Sequence, residues 1–190
     1  MATKREAQAK LDALRRDAVG GVAVAPEVYA PPTSVITCEA DFTDPDLVEV
    51  KVYRADGRVL VAAVELVSES NKDREDARET FAVKCASYLK HGVSVVVIDV
   101  VTNRSGELHN ELCTRLGAPA SARWTSRTGL SVIAYRGVRV KEKDRLDVWP
   151  HAVGLGEPLP TVPLWLGADL AVPLELELTY ANACKSLRIR

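Results

Sequence analysis

The chain predicts an α/β domain with a mixed central sheet, on three observations. Two β-prone runs, residues 47–54 and 59–67, flank Asp56-Gly57. An amphipathic helical stretch ends at His91-Gly92, and the apolar run VSVVVIDVV follows it at residues 93–101. A strand, a helix and a strand joined this closely favour parallel pairing through a right-handed crossover.

The first run, LVEVKVYR, alternates apolar and polar residues as a strand does when one face is covered. Asp56-Gly57 suits the type I′ turn of a hairpin, whose two central residues need positive φ. The second run is almost wholly apolar, which predicts a strand buried on both faces, interrupted by Glu65. Residues 68–73 then form a loop that delivers Asp73 or a neighbour as helix N-cap, with Glu75, Asp76 and Glu79 favoured in the first turns. The helix spans about residues 74–90, with Ala77, Phe81, Cys85 and Tyr88 on one face and Lys84 beside them. Gly92 is a natural left-handed cap, and residues 93–101 read as an interior strand.

Elsewhere, residues 3–18 predict an amphipathic helix ended by Gly20-Gly21, and residues 35–38 a short strand. Residues 107–116 predict a short helix. Residues 130–135 and 138–141 predict a second hairpin about Arg136-Gly137, with residues 146–149 extending that sheet. Pro158, Pro160 and Pro163 mark an extended segment, and residues 174–187 a terminal helix.

A chain of 190 residues, 47% hydrophobic and 27% charged, suits one domain with a real core spanning residues 1–190. No apolar run reaches the ~20 residues a membrane helix needs, and the opening MATKRE lacks the apolar core of a signal peptide. The expected address is cytoplasmic, with no membrane partner. Cys38, Cys85, Cys113 and Cys184 lie far apart with no C-x-x-C pair, which argues against structural zinc and for reduced thiols. The net charge of −1 conceals an asymmetry. Residues 39–79 carry 12 acids against 6 bases, and residues 121–145 carry 7 bases against 2 acids. Such a split suits an acidic metal centre beside a phosphate-gripping surface, and equally two solvated faces.

Glu65 is the centre of the functional reading. An ionised carboxylate among Val61, Ala63, Val64, Leu66 and Val67 costs several kcal/mol unless a cation, a donor or a metal accompanies it. Buried, paired carboxylates cluster at working sites. The bland alternative is a salt bridge at a strand end. A two-residue turn at Asp56-Gly57 pairs Ala55 with Arg58, so that Glu65 faces Val48 and Val67 faces Asp46. Asp46 and Glu65 become diagonal neighbours within ~7–8 Å at the backbone, a spacing at which two carboxylates can share Mg²⁺. A one-residue bulge would bring Glu49 to that face instead.

Pro45-Asp46 and Glu65, set across a hairpin and followed by a helix and a buried strand, resemble the core of the PD-(D/E)XK nuclease superfamily. Residues 64–68 (VELVS), Asn71-Lys72, Lys84-x-x-x-Tyr88 and the strand to Asp99 more closely resemble an uncharacterised bacterial domain family allied to the Uma-type restriction endonucleases. The likeness covers residues 47–101 and the tail from Pro163 through Tyr180.

It implies a restriction-endonuclease-like core: helix, β-hairpin, crossover helix and buried parallel strand. It also implies a metal-dependent nuclease in which Asp46 and Glu65 hold Mg²⁺ (or Mn²⁺) and a lysine assists the reacting phosphate. Here the chain departs from the motif, because Val67 occupies the place of the lysine two residues after the glutamate. Lys72, in the loop after the strand, or Lys84, on the helix, would supply the ammonium. Each has a structural alternative, a solvated loop residue for Lys72 and a snorkelling helix residue for Lys84. Lys51 points to the opposite sheet face. Asp99 is either a further carboxylate or a capped strand end, and Trp124 between Arg123 and Arg127 resembles a base-stacking site or surface packing. Nucleic acid is the partner that the nuclease reading implies. Its rival is a non-catalytic binding or assembly module on the same fold, homodimeric through the second hairpin, with Glu65 in a structural ion pair.

Overall fold

The computed structural model describes residues 29–40 and 59–189. The helix expected at residues 3–18, the first strand of the hairpin, its Asp56-Gly57 turn, Asp46, Glu49 and Lys51 lie outside the described residues. Among those described, the chain is a mixed α/β structure. A five-stranded sheet runs in the order β1 (Ile36–Glu39), β5 (Lys143–Ala152), β4 (Ser131–Val140), β3 (Ser94–Asp99), β2 (Ala62–Leu66). β2 and β3 are parallel and the other pairs antiparallel. A separate antiparallel ribbon joins β6 (Thr161–Trp165) to β7 (Ala171–Glu175). The helices are α1 (Glu69–Asp73), α2 (Glu75–Lys90), α3 (Leu108–Arg115) and α4 (Leu176–Leu187). None of them is long and apolar enough to cross a membrane.

The sheet separates two apolar layers. Side chains alternate along β3, so Val95 and Val97 join Phe81, Cys85, Leu89, Leu112 and Leu116 of the helical side. Val96 packs oppositely with Val132, Ala134 and Trp149 under Val162, Trp165 and Ala171 of the ribbon. β3 is interior, as its unbroken apolar run predicts. The left-handed stop of α2 also follows the sequence. Gly92 has φ +72, its N–H donates to the Leu89 carbonyl, and the Val93 N–H donates to that of Tyr88, the paired bonds of a Schellman cap.

Three expectations need correction. β2 is not buried on both faces: Val64 is 47% and Leu66 67% exposed. Helices cover the face carrying Ala63, Glu65 and Val67, whereas the ribbon on the other face lies over β3 and β4. Residues 68–73 are not all loop, since α1 occupies most of them; the N-cap of α2 is Arg74, the neighbour of Asp73, within the sequence expectation. The second hairpin does not turn at Arg136-Gly137. β4 runs straight through that dipeptide, with Arg136 opposite Asp147 and Gly137 opposite Leu146. The turn is Lys141-Glu142, at φ 49 and 66, closed by Val140 opposite Lys143. Two consecutive positive φ values match the type I′ turn that suits strand twist, although neither residue favours them.

Of the proline-marked segment, residues 161–165 form a strand that includes Pro163. Pro163 stands directly opposite Pro173. Neither can donate, so the two occupy a non-hydrogen-bonded position, which a two-stranded ribbon tolerates. Asp147 ties the layers together. It accepts from Arg136 and Arg145 on one oxygen and from Thr37 on the other. The Arg136 guanidinium in turn lies 3.8 Å from the Trp165 ring centre and donates to the Ala168 carbonyl.

Candidate carboxylate and lysine site

β2 presents its odd-numbered residues to α2, and that parity alone carries Glu65 to the helical side. Lys84 lies midway along α2, and its Nζ stands 2.7 Å from Oε2 of Glu65. The side chains are 36% and 17% exposed respectively, so the pair is sheltered but reachable by water. One turn further on, Tyr88 also faces Glu65, near enough for that carboxylate to perturb its phenol, because residues four apart share a helix face. Phe81, one turn before, places its ring 5.2 Å beneath the Lys84 ammonium, within cation–π range.

The electrostatics follow from this packing. The Tyr88 phenol is pushed up to about 12, first by burial, then by the negative charge of Glu65. Cys85, between Lys84 and Tyr88 in another turn of the surface, is raised to about 12, chiefly by burial and next by Glu65, with Lys84 opposing. It is a packed thiol and not a nucleophile.

The structure brings Glu65 and Lys84 together and takes Lys72 elsewhere. Lys72 Nζ lies 2.9 Å from Asp99 Oδ2, with the side chains only 1% and 8% exposed. It is a buried ion-pair partner and not a solvated loop residue. Asp99 caps its strand end as well, accepting from the Val101 N–H. Glu65 pairs in register with Val97, and Asp99 is the next residue of β3 on that face. Two acid–lysine pairs therefore sit on adjacent parallel strands, under the helices. Asp46 is outside the described residues. Among those described, no group of three or more His, Cys, Asp or Glu could hold a metal ion.

Tyr88 as a neighbour of Glu65 and Lys72 as a buried cation were not foreseen from the sequence. The i, i+4 spacing of Lys84 and Tyr88 was the available signal for the first; the second needed the β3 register. Trp124 is half-buried against the helical core and edge-on to His109, so it is packing and not an open stacking platform. His109 is buried between the Tyr135 hydroxyl and the Ala122 carbonyl, each 3.0 Å away. Of the basic segment at residues 121–145, Arg136 and Arg145 are spent on Asp147, and Lys143 pairs with Glu39. Compared with family models, curated proteins and solved structures, the chain matches none.

Proposed function

We propose that this chain is a metal-dependent phosphodiesterase of nuclease type, on a restriction-endonuclease-like core. The observation that carries the reading is the Lys84–Glu65 contact. It pairs the carboxylate of the motif with an ammonium from the crossover helix, where Val67 leaves the motif's own lysine position apolar. Lys84 ranks ahead of Lys72 for this role, because Lys72 is committed to Asp99 inside the protein.

Glu65 offers a hard, partly water-accessible oxygen of the kind Mg²⁺ or Mn²⁺ takes. One carboxylate does not make a centre, so the reading needs Asp46 as the second ligand. A divalent ion held there would supply an activated water and polarise a phosphoryl oxygen. Lys84 would lie against the charge that develops on the phosphate. Tyr88 keeps its proton through the physiological range beside the Glu65 carboxylate. Nucleic acid is the substrate class that this chemistry suits.

The test is cleavage of DNA and RNA of several structures by the purified chain with Mg²⁺ or Mn²⁺. Glu65→Gln and Asp46→Asn should each abolish it, and Lys84→Met should slow it by about a hundredfold or more. Cleavage unchanged in Glu65→Gln disposes of the site.

A second reading has its own observation: Lys84 and Tyr88 already answer the charge of Glu65. In that reading the pair is structural, and the chain is a non-catalytic binding or assembly module, homodimeric through the β4–β5 hairpin. Calorimetric titration separates the two. Mg²⁺ or Mn²⁺ binding that Asp46→Asn abolishes favours the enzyme, and silence at millimolar metal favours the module.

A further inference from the structure

A cavity lies away from Glu65. It is a crevice of about 770 Å³ at the carboxyl ends of β2 and β3, walled by α1, the start of α2, the loop after β3 and the turn before β4. In open α/β sheets the carboxyl ends of parallel strands are where ligands lodge, and this volume is that of a typical small-molecule site. Its cations are Lys72, Arg78 and Arg104, and its acids Asp73, Glu107 and Glu111.

Their pairings leave the guanidiniums available. Arg104 donates to Asp73 at 3.0 Å from Nε, and both partners are about half exposed. Arg78 stands 3.7 Å from Glu111 and is more enclosed, its side chain 23% exposed, with a further weak bond at 3.4 Å to the Lys72 carbonyl. An exposed pair like that of Arg104 is worth about 0–1 kcal/mol, so a ligand anion can compete for that cation, and Arg78 lines the same crevice with a long 3.7 Å contact to Glu111. The loop is shaped around Arg78: a Cβ on Gly106 would lie 2.5 Å from Arg78 Cδ and 3.3 Å from the Lys72 carbonyl. Only glycine lets that side chain pass along the loop.

We propose that this crevice binds a phosphorylated sugar, with its phosphate on Arg78 and Arg104 and its hydroxyls on the carboxylates of Glu107 and Glu111. The even balance of acids and bases is what selects this class. A bare polyanion would meet three carboxylates, whereas a sugar phosphate offers one anionic group and several hydroxyl donors. Planar guanidiniums suit phosphate oxygens. Burial pushes the Glu107 carboxyl upward, in keeping with its place at the back of the crevice.

The chemistry is shared by a free sugar phosphate, a mononucleotide and the phosphorylated end of a nucleic-acid strand. It does not depend on the phosphodiesterase reading, since neither Glu65 nor a metal takes part. Calorimetry of the full chain against ribose phosphate, adenosine monophosphate, ribose, inorganic phosphate, and an oligonucleotide with and without a terminal phosphate tests it. Ribose phosphate or adenosine monophosphate should bind at least about tenfold tighter than ribose or inorganic phosphate alone. Arg78→Lys and Arg104→Ala should each weaken binding about tenfold, and Glu65→Gln should leave it unchanged. Arg104 is at the surface, so its variant folds even if that of Arg78 does not. Tighter binding of the phosphorylated oligonucleotide assigns the site to strand ends, and its failure beside bound mononucleotide assigns it to free metabolites. No binding of ribose phosphate or adenosine monophosphate at low-millimolar concentration, or binding indifferent to both arginine variants, overturns the proposal.

Discussion

Lys84 and Glu65 meet at 2.7 Å across the gap between the middle of α2 and β2, so the crossover helix and the strand it follows are joined by charge as well as by apolar packing. Removing the cation alone takes from a sheltered carboxylate its charged partner among the described residues. Lys84→Met should cost about 1–2 kcal/mol, between the values for exposed and fully buried pairs. Adding Glu65→Gln should recover part of that loss. Denaturant unfolding of the two single variants and the double one measures it. A double variant whose loss equals the sum of the two single losses would show that the pair contributes nothing.

Lys72 and Asp99 are more deeply enclosed, and the same operation there is harsher. Lys72→Met strands the Asp99 carboxylate inside the protein and should cost about 3–5 kcal/mol. Lys72→Met with Asp99→Asn should be milder than Lys72→Met alone. Midpoints of thermal unfolding decide the order.

At Lys141-Glu142 two ordinary residues hold positive φ. Replacing them with Asn-Gly keeps the type I′ turn and relieves the strain, and should stabilise the chain by about 1 kcal/mol or more. A lower unfolding midpoint in urea would contradict the turn assignment.

Stability should fall at both ends of the pH scale. Burial holds His109 and His151 below their ordinary 6.5. Their contribution is present above that value and is lost as pH falls beneath it, because the unfolded chain takes up protons that the native one refuses. Tyr88 is raised from 10 to about 12, so its contribution is whole below pH 10 and is lost as pH climbs toward 12. Unfolding free energies across the range check both limbs. NMR should find the His109 ring titrating below the ordinary 6.5.

Much of the fold could be read from local pattern, because β3, α2 and the Gly92 cap are each specified within a few residues. Arg136-Gly137 misled because its turn-like composition is overruled by long-range pairing, with Asp147 holding Arg136 inside the ladder. The prolines at 163 and 173 disguised strands, since a ribbon with two open edges accepts residues that an inner strand would reject. Glu65 stood out as an acid in an apolar run, and its need for a partner is met by Lys84. The partnership of Lys72 with Asp99 was not legible, as nothing near Lys72 in sequence marks it for burial.

Trp165 has a consequence for how the molecule comes apart. Its ring supports the Arg136 guanidinium and leans on Trp149, and its carbonyl accepts from Ser94. One residue thus anchors a whole layer, and in Trp165→Ala the ribbon should detach while the helical side stays shut. Hydrogen exchange would then show amides of β6 and β7 opening early and those of α2 late, a protein that unzips from the side away from Lys84–Glu65 and Lys72–Asp99.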